Sequence, residues 1–105
     1  MFFIVIGRDK PEMTDVRART RPAHLDYMGA PNDKVRHMMG APLAADDGET
    51  MTGTFYIVEA PDRETALAYA KGDPYARAEI FATLDVIQVH PAGAKAMAQI
   101  GPKAT

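Results

Sequence analysis

Apolar and polar positions alternate between two periods along this chain. Phe2-Phe3-Ile4-Val5-Ile6-Gly7 is an apolar run closed by Arg8-Asp9-Lys10-Pro11, which predicts a short buried strand. From Met13 to Met28 the pattern turns helical, with a start near Pro11-Glu12. Pro22 interrupts it, and two outcomes are open: one kinked helix, or a second helix capped by Thr20 or Arg21 with Pro22 in its first turn. Gly29-Ala30-Pro31-Asn32-Asp33 turns the chain. Val35 to Leu43, which alternates poorly, lies between turn signals and leads into a polar loop from Ala44 to Thr50. Thr52 to Ala60, rich in β-branched and aromatic residues, is the clearest strand. Pro61-Asp62 starts a second helix, with Asp62 at the N-cap, Glu64 at the positive end and Gly72 at C′. A short helical segment from Pro74 to about Glu79 precedes a last strand from Phe81 to His90.

The resulting order, β-α-β-β-α-β, predicts an α+β, ferredoxin-like domain: a four-stranded antiparallel sheet with two helices on one face. Residues 1–92 form that domain and residues 93–105 a loosely held Ala/Gly/Lys-rich tail. Phe3, Val5, Phe55 and Ile57 are assigned to one sheet face; Phe2, Ile4, Ile6, Tyr56 and Val58 are assigned to the other. Helices cover only one side, so the second apolar face calls for a partner, and a second copy of the chain is the simplest one. A homodimer packed sheet to sheet is the expectation.

The first helix is unusual in what it turns inward. At about 100° per residue, Met13, His24, Arg17, Met28, Arg21 and Leu25 fall within one arc of roughly 120°. An imidazole and two guanidiniums thus share the apolar face. An inward histidine needs a partner, because burying it unpaired costs a few kcal/mol. A purely structural, satisfied histidine meets that need as well as a functional one. Asp73-Pro74 likewise suits a plain helix start, with an acceptor at the cap and a preset φ at N1. Capping and chemistry are compatible, since a capping carboxyl keeps one oxygen to orient an imidazole.

Composition narrows the chemistry further. The 105 residues make one domain, and the absence of cysteine removes disulfides, thiolate nucleophiles and Cys-based zinc sites. Three histidines without recognisable spacing make no metal site; His37 and His90 are expected at the surface. Net charge is −2 with no Lys/Arg cluster, so nucleic acid is not an expected partner. No phosphate loop or dinucleotide fingerprint occurs, and no cofactor is implied. The N-terminal apolar run is too short for a membrane span and lacks a basic n-region, so a cytoplasmic, non-membrane protein is expected.

Arg21-Pro22-Ala23-His24-Leu25 in the first helix and Asp73-Pro74-Tyr75 after the second resemble motifs of the YCII-related family. The similarity runs from Phe2 to about Pro91 and takes in Gly40-Ala41-Pro42, where the family usually shows Ala-Gly-Pro. It also includes Thr52-Gly53-Thr54, where the family often shows a Gly-Ser pair. The resemblance implies a dimeric α/β barrel similar to muconolactone isomerases, with a His/Asp pair in a cleft. That pair maps to His24 and Asp73, with Arg21 and Tyr75 beside it. Some relatives are linked to cofactor-free chemistry on chlorinated hydroxyquinones. Thr54 in place of Ser, and Ala41 between Gly40 and Pro42, imply a different pocket lining.

Together these features predict a small cofactor-independent enzyme acting on a small anionic or carbonyl-containing molecule. His24 would be the general acid/base and Asp73 its orienting partner. Arg21 or Arg17 would bind an oxygen, with Tyr75 and Thr54 lining the pocket. Isomerisation, or an elimination such as dehydrochlorination, suits one imidazole and a nearby cation. The alternative is a non-catalytic ligand-binding or dimeric scaffold domain.

Overall fold

The computed structural model describes residues 1–100. The chain runs β1 (Phe2–Asp9), α1 (Thr14–Gly29), β2 (Arg36–Ala44), β3 (Met51–Glu59), α2 (Arg63–Gly72), a single-turn α3 (Pro74–Arg77) and β4 (Phe81–Gln88). A 3-10 turn (Pro91–Gly93) and a short α4 (Ala94–Ala98) follow, so the start of the expected tail is helical, while residues 101–105 lie outside the described part. The strands pair antiparallel in the order β2-β3-β1-β4, and the helices pack on one face: a ferredoxin-like α+β fold.

The registers determine which residues share a face. Phe3 lies opposite Val58 and Val5 opposite Tyr56, and these four form the buried, helix-facing rows with Val86 of β4. Ile4 lies opposite Ile57 and Ile6 opposite Phe55, on the outer side. This corrects the assignment by alternation, which placed Phe55 and Ile57 with Phe3 and Val5. Alternation gives two faces within a strand, but only the pairing register relates the phase of one strand to that of the next. Ala66, Tyr69 and Ala70 of α2 close over the inner rows, with Tyr27 and Met28 of α1 packed against them. Burying a large apolar side chain of this kind is worth roughly 1.5–3 kcal/mol.

α1 is one unbroken helix despite Pro22. Pro22 and Ala18, whose carbonyl would have received the missing N–H, are both exposed. The freed carbonyl is therefore on the solvent side, where water can satisfy it. α2 begins as expected, with Asp62 Oδ1 accepting the Thr65 N–H at 2.7 Å. At its end Gly72 lets the helices meet: a Cβ there would come within 2.6 Å of the Tyr27 hydroxyl. That hydroxyl donates to the Tyr69 carbonyl at 2.8 Å, which joins α1 to α2. Both contacts lie just ahead of Asp73 and help to hold it at the helix junction.

Candidate active site

The inward face of α1 is polar where it crosses the sheet. Arg17 is 3% exposed and His24 8%, whereas Leu25, at the edge of the same arc, is 51% exposed. Arg17 reaches Asp9 with two parallel bonds, Nε to Oδ2 at 2.7 Å and Nη2 to Oδ1 at 2.8 Å. Its Nη2 also donates to Thr54 Oγ1 at 2.9 Å. Asp9 continues the inner row of β1 beyond Phe3, Val5 and Gly7, and Thr54 lies opposite Gly7 on β3. Burial works against the guanidinium charge, yet the hydrogen bonds and charge of Asp9, aided by Tyr75, more than offset it and raise its pKa. Arg17 is thus a buried cation paired with Asp9.

One turn further along α1, Arg21 lines the pocket half-buried, with its Nη1 3.7 Å from Met51 Sδ. It has no carboxylate partner among the described residues. Of the two arginines, Arg21 is the one with its charge still to offer.

α3 brings the acid. Asp73 precedes Pro74 and is fully buried; its Oδ1 accepts the Tyr75 backbone N–H at 3.0 Å, as a helix cap does. The same oxygen lies 2.7 Å from His24 Nδ1. A carboxylate only accepts, so the proton in this contact sits on Nδ1, and in the neutral ring the lone pair is then on Nε2. Tyr75 stacks on the imidazole at 4.1 Å between centroids and 17° between planes. The Arg17 guanidinium lies over the same phenol ring, 4.4 Å from its centroid. Arg17, Tyr75 and His24 therefore form one stack, anchored at one end by Asp9 and at the other by Asp73. Asp73 Oδ2, Tyr56 Oη and Tyr75 Oη are buried without a hydrogen-bond partner among the described residues. Burial, then the charge of Asp73, pushes the Tyr56 hydroxyl far above its ordinary value and keeps it protonated.

Beside the stack is a cavity of about 140 Å³. Arg21, His24 and Tyr75 line it together with Thr54, Pro42 and Tyr56. All six residues singled out in the sequence (Arg17, Arg21, His24, Thr54, Asp73, Tyr75) meet here; Asp73 alone stands behind the wall, reaching the cavity through His24. His37 departs from expectation. It is half-buried and lines this cavity, where a surface position was expected. His90 is exposed at the end of β4, where its Nδ1 accepts the Ala92 N–H at 2.9 Å. Asp9 was missed altogether, because an acid between Arg8 and Lys10 reads as a turn; its period-2 match to Phe3, Val5 and Gly7 was the available signal. Among the described residues no group of His, Cys, Asp or Glu is arranged to hold a metal ion, and no helix is long and apolar enough to cross a membrane.

A ferredoxin-like domain with a histidine–aspartate pair beside a small cavity defines the class. The YCII-related domain model matches residues 1–90, and the chain belongs to that family. The protein YciI of Escherichia coli and that of Shigella flexneri are each 30% identical to it over 91 residues, spanning 82% of this chain and 93% of theirs. A solved structure of similar fold is 5-chloro-2-hydroxyhydroquinone dehydrochlorinase from Burkholderia phenoliruptrix, in complex with 2,5-dihydroxybenzoquinone. Its TM-score is 0.72 at 29% identity, covering 86% of this chain and 94% of that one.

Proposed function

We propose that the protein is a small, cofactor-independent acid–base enzyme that takes a proton from a small carbonyl-containing or enolic molecule, with His24 as the base. The observation that carries this is the 2.7 Å contact between His24 Nδ1 and Asp73 Oδ1. It leaves Nε2 as the ring atom free to act, on a wall of the cavity. Asp73 orients the imidazole and stabilises the cation it becomes. Arg21 offers an uncommitted positive charge to the oxygen that gains negative charge as the proton leaves. Tyr75 and the Arg17 clamp behind it hold the ring plane.

Two outcomes suit this arrangement. In an isomerisation, His24 returns the proton to a different atom of the same molecule. In a dehydrochlorination, the proton goes to Nε2, the C–H electron pair becomes a new π bond, and chloride leaves with the C–Cl pair. The dehydrochlorinase relative, similar over most of this chain, supports the second. The outer sheet face, with Ile87 50% and Met39 37% exposed, supports a homodimer packed through that face. Residues 1–92 are taken as the folded unit, with the remainder as an appendage.

The test is chloride release from chlorinated hydroxyhydroquinones by the full chain and by His24→Ala. Turnover that falls at least about a hundredfold, with ligand binding retained, is the expected result. Equal turnover in the two proteins would sink the assignment of His24. Ligand binding without turnover of any such compound by the wild type would make this a binding module.

A further inference from the structure

The second imidazole of the cavity has no place in the chemistry above. His37 reaches it through an irregularity in β2. The pairing of β2 with β3 runs Arg36 to Glu59 and His37 to Val58, then skips to Met39 opposite Ile57 and Gly40 opposite Tyr56. Met38 is the extra residue, and such a bulge re-aims the strand on either side of it. Val58 and Tyr56 both face the helices, so His37, Gly40 and, opposite Thr54, Pro42 all face them too. Simple alternation would have put His37 on the side away from Gly40 and Pro42.

Gly40 adds a second observation. A Cβ built there would lie 3.2 Å from His37 Nε2 and 2.9 Å from Tyr56 Cβ. The imidazole thus leans along its own strand over the glycine, with the Tyr56 ring 5.6 Å away at 36°. His37 makes no hydrogen bond to any described residue, whereas Arg17 and His24, which face the cavity from α1, are both engaged. The His37 ring nitrogens are not among the buried unpartnered atoms, so they are open to a polar group in the cavity. Burial, followed by the neighbouring His24, lowers its pKa, so it enters neutral with one donor and one acceptor.

We propose that His37 is a second substrate-contacting residue, hydrogen-bonding a ligand oxygen on the β2 side of the cavity while His24 and Arg21 engage the reacting side from α1. The site then selects small planar molecules that carry oxygens on two sides of one ring. Its volume of about 140 Å³ is of the size at which a cavity accepts a single benzene-sized ring. This rests on the cavity being the substrate site, and it deepens that reading by naming what the ligand must present to β2.

The probe is 2,5-dihydroxybenzoquinone, titrated into the full chain while the ring ¹⁵N–¹H signals of the three histidines are followed. His24 and His37 should both shift, and exposed His90 should not. By calorimetry, His37→Leu should weaken the probe about tenfold, the worth of one ligand hydrogen bond, and His37→Gln should recover part of the loss. If the His24 signal moves while that of His37 stays fixed, and His37→Leu binds as tightly as wild type, the proposal fails and the His24 site stands. If neither histidine responds, both fail together.

Discussion

Asp9→Asn is the substitution that bears most directly on how the pocket is held. Asp9 and Arg17 are 6% and 3% exposed at the side chain and share two bonds of 2.7 and 2.8 Å. The exchange keeps the shape of the acid but removes its charge and turns an NH₂ toward a group that only donates. Removing one partner of a buried ion pair costs about 3–5 kcal/mol, because the remaining charge is stranded in a poor solvent. For a domain of this size each kcal/mol lowers the melting temperature by roughly 4–8 °C, so a fall of at least about 12 °C is expected. Calorimetry or urea denaturation followed by circular dichroism, at fixed protein concentration, measures it. Adding Arg17→Met to Asp9→Asn should recover part of the loss, because the stranded charge is then gone. A fall under about 4 °C, or no recovery in the double variant, would refute the claim that this pair is the clamp behind Tyr75.

Two further outcomes follow from other parts of the fold. Folding lowers the His37 pKa from 6.5, so the unfolded chain takes up a proton that the folded chain resists. Stability should therefore drop as pH falls through about 6.5 and level off below the folded-state pKa; His37→Leu should flatten that part of the profile. Ile87→Lys places a charge on the exposed outer face of β4 and should shift sedimentation at micromolar concentration from dimer to monomer. A wild type that sediments as a monomer there would contradict packing through this face.

Much of the site was legible because its signals are local. The wheel from Met13 to Met28 turned Arg17 and His24 inward without any knowledge of the sheet, and both are buried. Asp73-Pro74 announced a helix start, and the acceptor that caps α3 is the one that meets His24. What escaped was relational. A bulge at Met38 leaves no mark in composition, yet it decides on which side His37 lies. The phase between β1 and β3 is a property of their register, so Phe55 and Ile57 were placed on the wrong face even though each strand was recognised. Pro22 leaves one kinked helix and two separate helices both open in the sequence; its missing bond falls on the solvent side, and the helix continues through it. Arg17 and Arg21 look alike in sequence; only the reach of Asp9 separates the neutralised one from the free one.

The proposed chemistry requires a lone pair at His24 Nε2, with the ring proton held on Nδ1 by Asp73. Ring ¹⁵N chemical shifts of His24, recorded at a pH where the imidazole is neutral, observe it without any substrate. A protonated Nδ1 beside a bare, pyridine-like Nε2 is the predicted pattern. The reverse tautomer, with the proton on Nε2, would contradict it.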